Sequence, residues 1–217
     1  MILWLALFLL IVAISFLLSL RSMKDFAEVP QNSKLEYSLF LIRKSPNLTV
    51  SLLQSIHDDL ASKNLIASIE RLFKGSESAL CLFGPKEMLE NYLSALDLVE
   101  LEDYTQTLTS SDTTVWEVGG RGVQPFKNFP SLEVDELFMW QILFLGKHMQ
   151  IRAGVSSKQS ERRRLLAKDL QSLAEGKLVK LPRPFSNDVM LQSYKQRSID
   201  KEVKQYNAET LLSLLRI

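Results

Sequence analysis

Residues 65–83 have the sequence LIASIERLFKGSESALCLF, in which two mostly apolar runs flank a short polar turn. Both runs, residues 65–73 and 78–83, have the length of a strand and are rich in residues that favour β-structure. Residues 74–77, which lie between them, include Gly75 and are typical of a hairpin turn. The pattern therefore predicts a β-hairpin within a sheet.

A strand and a helix are predicted on each side of this hairpin. Before it, residues 35–43 favour a strand, and Thr49 is placed to cap a helix whose apolar residues recur at helical spacing. After it, an apolar stripe predicts a helix that begins near Pro85, and residues 98–102 favour a strand. The order strand, helix, strand, strand, helix, strand predicts a ferredoxin-like (βαββαβ) unit over residues 35–104.

The rest of the chain predicts a second, less regular α/β unit at residues 112–185, so the predicted fold class is α+β. Residues 113–118 and 149–155 favour strands, and the apolar run at residues 134–145 is interpreted as a buried helix. Residues 186–217 are predicted to form a helical C-terminal tail.

The first twenty residues, MILWLALFLLIVAISFLLSL, contain no charged residue. A bilayer core of roughly 30 Å needs about 20 helical residues to cross, so residues 1–20 are predicted to be a transmembrane helix, with residues 21–34 as a linker. A cleaved signal peptide would have basic residues before the apolar run. Because Arg21 and Lys24 follow it instead, we expect a single-pass protein of the cell membrane, with its N-terminus outside and its soluble part in the cytoplasm.

Charge is divided unevenly along the chain, although the formal net charge is +1. Residues 1–157 carry 13 basic and 18 acidic residues, whereas residues 158–217 carry 13 and 7. A basic amphipathic helix is predicted to begin at Ser160 and end at Gly176. Its basic cluster is the candidate site for an anionic partner, and a solvated helix surface explains the same cluster equally well. The cluster consists of Lys158, Arg162, Arg163, Arg164 and Lys168.

The sequence shows no reaction centre. Residues 119–122 hold three glycines but lack the Lys-Ser/Thr pair of a phosphate-binding loop. His57, His148 and Cys81 lie too far apart in sequence to predict a zinc site. His57 is interpreted as part of a solvated helix face, and Cys81 as a small buried residue. We therefore predict no catalytic residue, no cofactor and no metal.

Several segments resemble the membrane-proximal region of the coupling ATPases of conjugation and type IV secretion in bacteria. The similar residues include ALCLFGPKEMLENYL at 79–93 and VELEDY at 99–104. Residues 129–135, 149–153 and 198–215 are similar in the same order. The motor domain of that family has no counterpart in this sequence, so no nucleotide-binding residue can be transferred to it.

The resemblance implies a membrane-anchored, non-catalytic accessory or assembly subunit of a type IV secretion or conjugation-like translocation machine. Its expected partner is a protein, either a translocation ATPase or another subunit of the secretion complex, and a second copy of the chain is also considered. The alternative is a peripheral lipid- or nucleic-acid-binding protein that acts through its basic C-terminal third. A third alternative, an enzyme, has only His57 and residues 119–122 to support it.

Overall fold

A computed structural model describes residues 35–118, 131–173, 178–179, 187–199 and 204–215. In these residues the chain forms nine strands and six α-helices. The strands are β1 (Tyr37–Ile42), β2 (Ala67–Lys74), β3 (Glu77–Pro85), β4 (Leu98–Leu101), β5 (Thr113–Val118), β6 (Leu137–Leu145), β7 (His148–Ser156), β8 (Leu178–Val179) and β9 (Lys204–Gln205). The helices are α1 (Val50–Ala61), α2 (Lys86–Leu89), α3 (Leu93–Leu96), α4 (Ser160–Leu173), α5 (Asn187–Gln196) and α6 (Ala208–Leu215).

All nine strands belong to one antiparallel sheet. Its order is β4-β1-β3-β2-β6-β7-β5-β8, and β9 pairs with β7 beyond this path. The predicted fold class, a ferredoxin-like unit followed by a separate α/β unit, is therefore wrong. Eight residue pairs between β2 and β6 join the two predicted units into one sheet, because the edge that β2 would otherwise expose is paired with β6.

The two halves of this sheet repeat one strand order in opposite directions. The hairpin β2–β3 closes with Lys74 opposite Glu77, and the hairpin β6–β7 closes with Leu145 opposite His148. Each two-residue turn begins with a glycine at positive φ, Gly75 or Gly146. The sequence β4-β1-β3-β2 on one side is mirrored by β6-β7-β5-β8 on the other. The halves are thus related by an approximate two-fold axis between β2 and β6.

The predicted buried helix at residues 134–145 is wrong, because Leu137–Leu145 forms strand β6. The strand lies between β2 and β7, and seven of its nine residues are buried. A strand that is covered on both faces has no alternation of apolar and polar residues. Its sequence therefore cannot be distinguished from a buried helix by periodicity.

The sheet has one apolar face and one partly polar face. On the apolar face, Ile69, Trp140 and Ile151 belong to the main core, together with Ile56 of α1 and Leu211 of α6. Helix α1 begins at its cap Thr49, whose Oγ1 accepts from Leu52 N at 3.2 Å. On the opposite face, a smaller apolar cluster lies under α5. Alternate residues of each strand therefore lie in different surroundings, one in the main apolar core and the next on the partly polar face.

The predicted membrane span and its linker, residues 1–20 and 21–34, lie outside the described residues. Within the parts of the chain that are described, no helix is long and apolar enough to cross a membrane. The longest, α4, has 14 residues, whereas a span needs about 20. This finding contradicts the predicted single-pass localisation at the cell membrane.

Candidate functional site

Two of the five basic residues that were predicted to bind an anionic partner are hydrogen-bonded to other residues of the protein. Arg162 Nε donates to Glu136 Oε1 at 2.8 Å, and its Nη2 donates to the carbonyl oxygen of Ser131. Arg163 Nη1 donates to the carbonyl oxygen of Ser157 at 2.7 Å. Both side chains therefore fasten α4 to neighbouring segments.

The other three members of the cluster, Lys158, Arg164 and Lys168, are exposed. Arg164 and Lys168 are four residues apart and so share one face of α4. Glu161 and Asp169 are exposed on the same helix and reduce its net positive charge. Binding of an anionic partner by the cluster stays a prediction.

A row of polar side chains crosses the other face of the sheet, and the sequence analysis did not identify it. Glu70, Gln141, Arg152 and Glu117 lie directly opposite one another on β2, β6, β7 and β5. All four residues are buried. The clearest signal in the sequence is Gln141, the one polar residue of β6, and the four side chains become a row only when the strands are aligned.

The row continues into an ion cluster with Arg197, a residue at φ +52° just after α5. Arg197 Nε donates to Glu70 Oε1 at 2.7 Å, and its Nη1 donates to Asp103 Oδ2 at 2.7 Å. Burial alone would raise the pKa of both carboxyl groups, but the charge and hydrogen bonds of Arg197 lower each pKa below its ordinary value. Both carboxylates are therefore ionised at neutral pH.

The same row binds the backbone of residues 193–198. Arg152 donates to the carbonyl oxygens of Ser193 at 2.8 Å and Ser198 at 2.6 Å. Gln141 Nε2 donates to the carbonyl oxygen of Tyr194 at 3.3 Å. The polar row thus holds α5 and the residues after it against the sheet, because it supplies donors to carbonyl groups that would otherwise be buried without partners.

The ion cluster acts as a clamp, by which we mean that its side chains bind one another and hold the residues after α5 to the sheet. Tyr104 Oη donates to Glu70 Oε2 at 2.7 Å and lies 2.7 Å from Tyr194 Oη. Burial, with the charge of Glu70, raises the pKa of both tyrosines. Burial likewise raises the pKa of the nearby Cys81 thiol to about 12. These groups are neutral at pH 7, which is the opposite of an activated nucleophile or base.

Two further features bear on function. Among the residues that the structure covers, no group of three or more His, Cys, Asp or Glu side chains could hold a metal ion. A recess of 430 Å³ opens beside Tyr104 at the junction of the two halves. Its charged residues, Lys74, Glu77 and Asp135, belong to three different segments.

The interpretation of His57 as part of a solvated face is wrong. His57 is only 8% exposed, and its ring stacks on Tyr206 with a centroid distance of 3.6 Å. Its Nε2 lies 2.6 Å from the carbonyl oxygen of Gly146. The contact arises because β9 brings Tyr206 next to α1, which helical spacing in the sequence does not reveal.

The remaining feature is an apolar surface on the first half of the sheet, which we call the open patch. It consists of Tyr37, Leu41, Phe83, Val99 and Leu101. Tyr37 stacks on Phe83 with a centroid distance of 5.5 Å, and Leu101 is 37% exposed. The other members are partly exposed, and none belongs to the apolar cluster under α5.

The open patch lies on the same side of the sheet as the polar row. Leu41 is paired with Cys81, and Cys81 is paired with Glu70. Directly opposite residues share a face, so the patch and the row are continuous. Arg197 marks the border, since its guanidinium lies 3.8 Å from the Phe83 ring centroid.

Comparison of the chain with known protein families, with curated proteins and with solved structures found no match in any of the three. The resemblance to coupling ATPases therefore stays a prediction. The assignment to secretion or conjugation has no support from these comparisons and is withdrawn.

Proposed function

We propose that the protein is a non-catalytic docking module that binds a partner protein through the open patch. One observation carries this proposal: five apolar side chains on this face of the first half are partly or well exposed, whereas α5 packs on the corresponding face of the second half. Contiguous exposed apolar side chains of this kind are typical of interaction sites. The partner is expected to present an apolar surface.

The buried groups support a binding role over a catalytic one. Glu70 and Asp103 are both paired with Arg197, and Tyr104 and Tyr194 bind each other. Tyr104 lines the 430 Å³ recess, but its hydroxyl already donates to Glu70 Oε2 and lies 2.7 Å from Tyr194 Oη. The buried hydrogen bonds and ion pairs of the polar row hold residues 193–198 to the sheet, as is expected of a rigid scaffold.

The alternative that the C-terminal third binds lipid or nucleic acid has less structural support. Arg162 and Arg163 are engaged with Glu136 and Ser157. Affinity for phosphates scales with the number of cations that can reach them, and engagement of two of five reduces it. The open patch is therefore the better candidate surface.

Photo-cross-linking tests the docking role. A photoreactive phenylalanine analogue is placed at Leu101 in the patch or, as the matched control, at Leu165, which is 55% exposed on α4. We expect one discrete adduct from position 101 and none of that mass from position 165. The adduct is identified by mass spectrometry, and the identified protein is then purified.

Binding of that purified protein is measured by calorimetry. Leu101→Glu is expected to weaken its affinity by about tenfold or more, because a charge would be buried at the interface. Leu165→Glu should leave the affinity unchanged. Equal adducts from both positions, or equal affinities for both variants, would contradict the proposal.

A further inference from the structure

His57 links helix α1 to two segments that are far away in the chain. Its Nε2 lies 2.6 Å from the carbonyl oxygen of Gly146, in the turn of the β6–β7 hairpin. On the other side of the ring, Nδ1 lies 3.1 Å from Asp58 Oδ1. The ring face stacks on Tyr206, with 10° between the two planes. Because Tyr206 follows β9 directly, His57 is a contact point for residues 204–215, the last segment that the structure describes.

Both ring nitrogens of His57 face an oxygen that can only accept a hydrogen bond. A carbonyl oxygen has no proton to donate, and neither has an ionised carboxylate. A neutral imidazole carries one N–H group, so whichever nitrogen holds it, the other directs a lone pair at an acceptor. The protonated ring has two N–H groups and can donate to Gly146 and to Asp58 at the same time. The geometry is therefore complementary to the protonated ring.

Tyr206 favours the same form of the ring. The two ring centroids are 3.6 Å apart, and a cation over an aromatic face is attracted by the charge distribution of the ring. Burial and the charge of Asp58 raise the pKa of Tyr206, so its hydroxyl stays neutral and donates to the Leu53 carbonyl oxygen at 3.2 Å. Tyr206 N also donates to the carbonyl oxygen of Lys147 at 2.9 Å. Protonation of His57 therefore strengthens a contact that holds this segment to α1 and to the β6–β7 turn.

The elements that pack against the ring carry charges of both signs. Asp58 of α1 is in direct contact, and β6 contributes the uncharged ring of Phe144. Lys147 and His148 follow the hairpin turn and are exposed, so water screens their repulsion. On β9, Lys204 lies two residues before Tyr206. Burial of the ring and these cations oppose its charge, but two hydrogen bonds from a charged donor are each stronger than a neutral one.

We infer that His57 is a pH-sensitive latch, a side chain whose protonation holds residues 204–215 more tightly to the rest of the fold. Histidine is the side chain that ordinarily gains a proton between pH 8 and pH 5, and the chain contains two. The stabilisation is present at the lower pH and is lost as the pH rises. Helix α6 belongs to this segment and packs in the main core with α1, so its detachment would expose apolar residues of α1.

The test is amide hydrogen exchange of the full chain at about pH 5 and about pH 8, the ends of the range in which histidine titrates. Exchange of residues 204–215 is read by mass spectrometry and corrected for the intrinsic effect of pH on the rate. Strand β3 is the internal reference for global unfolding. Relative to β3, the segment should open about tenfold less often at the lower pH, a change that one charge-assisted hydrogen bond can supply.

Three variants separate the latch from a general effect of pH. His57→Gln keeps a side-chain donor but cannot gain a proton, so the pH dependence should disappear. Asp58→Asn changes a side chain that is 64% exposed, so the fold is retained while the charge that faces Nδ1 is lost and the pH dependence decreases. The matched control is His148→Gln, which removes the other histidine and should leave the pH dependence unchanged.

Three results would overturn the latch. They are equal opening at the two pH values in the unaltered protein, a change that β3 shows to the same degree, and a change that persists in His57→Gln. If His57→Gln does not fold, Asp58→Asn decides, and an undiminished change in that variant counts against the latch. The cross-linking experiment tests the docking function separately, and neither result depends on the other.

Discussion

Replacing Arg197 by methionine is expected to destabilise the fold severely. The substitution removes the guanidinium that lies between Glu70 and Asp103, at 2.7 Å from each. Glu70 is 0% exposed, so its charge cannot be compensated by water. Breaking a buried ion pair by removing one partner costs about 3–5 kcal/mol. That is a large fraction of the roughly 5–15 kcal/mol that stabilises a typical domain.

The measurement is urea unfolding of the full chain, followed by the fluorescence of the buried Trp116 and Trp140. The matched control is Lys86→Met, which breaks the pair between Lys86 and Glu100 on the surface. A surface pair contributes about 0–1 kcal/mol, so the control should unfold nearly as the unaltered protein does. A loss of less than about 1 kcal/mol for Arg197→Met would refute a clamp role for the cluster.

The dependence on pH gives a second check. In the unaltered protein the pKa values of Glu70 and Asp103 are lowered, because Arg197 outweighs the effect of burial. Their stabilisation is complete above the pKa of the unfolded chain, about 4, and is lost as the pH falls through the folded-state values. In Arg197→Met, burial is opposed only by the hydrogen bonds from Ser68 and Tyr104 and is expected to raise the pKa of Glu70, so lowering the pH should recover stability. A double variant with Glu70→Gln should be more stable than Arg197→Met alone at pH 7, and a simple sum of the two losses would count against the pairing.

Three further predictions concern packing and reactivity. Gly154→Ala should lower the free energy of unfolding by about 1 kcal/mol in urea titrations, because the new Cβ would lie 2.7 Å from Met139 Cε and only this flexible end of the side chain has to shift. Gly84→Ala, where the nearest atom is 3.2 Å away, should cost less. The Cys81 thiol, with its pKa raised to about 12 by burial, should resist a thiol reagent at pH 8 in the folded protein and react after unfolding. Tyr206→Ala should lose the stack on His57 and destabilise by about 3–5 kcal/mol by thermal unfolding, whereas Tyr206→Phe should lose only the hydrogen bond to the Leu53 carbonyl, about 1 kcal/mol.

Local elements were the part of the structure that periodicity could predict. The hairpin expected at residues 65–83 is present as β2 and β3, and the helix expected after Thr49 is α1. Strands at residues 113–118 and 149–155 are present as β5 and β7. These elements have one distinct face each or clear turn residues at their ends, so neighbouring residues carry the information.

The arrangement of those elements could not be predicted in the same way. Pairing of β2 with β6 joins residues about 70 positions apart, such as Glu70 and Gln141. The clamp adds Arg197, which lies in a different part of the chain from both. Glu70 in one strand and Arg197 in a distant segment show no relation in the sequence until the fold brings them together.

By itself, the sequence determined several local elements, including the hairpin at residues 65–83 and the helix after Thr49, and that Cys81 is buried. It determined these because each depends on the spacing of residues along a short segment. Only the tertiary structure decided that the two halves form one sheet, that residues 137–145 form a strand in its interior, and that one half keeps an open patch. Those outcomes depend on which strand edges meet and which faces are covered, and both are settled by contacts between residues that are far apart in the chain.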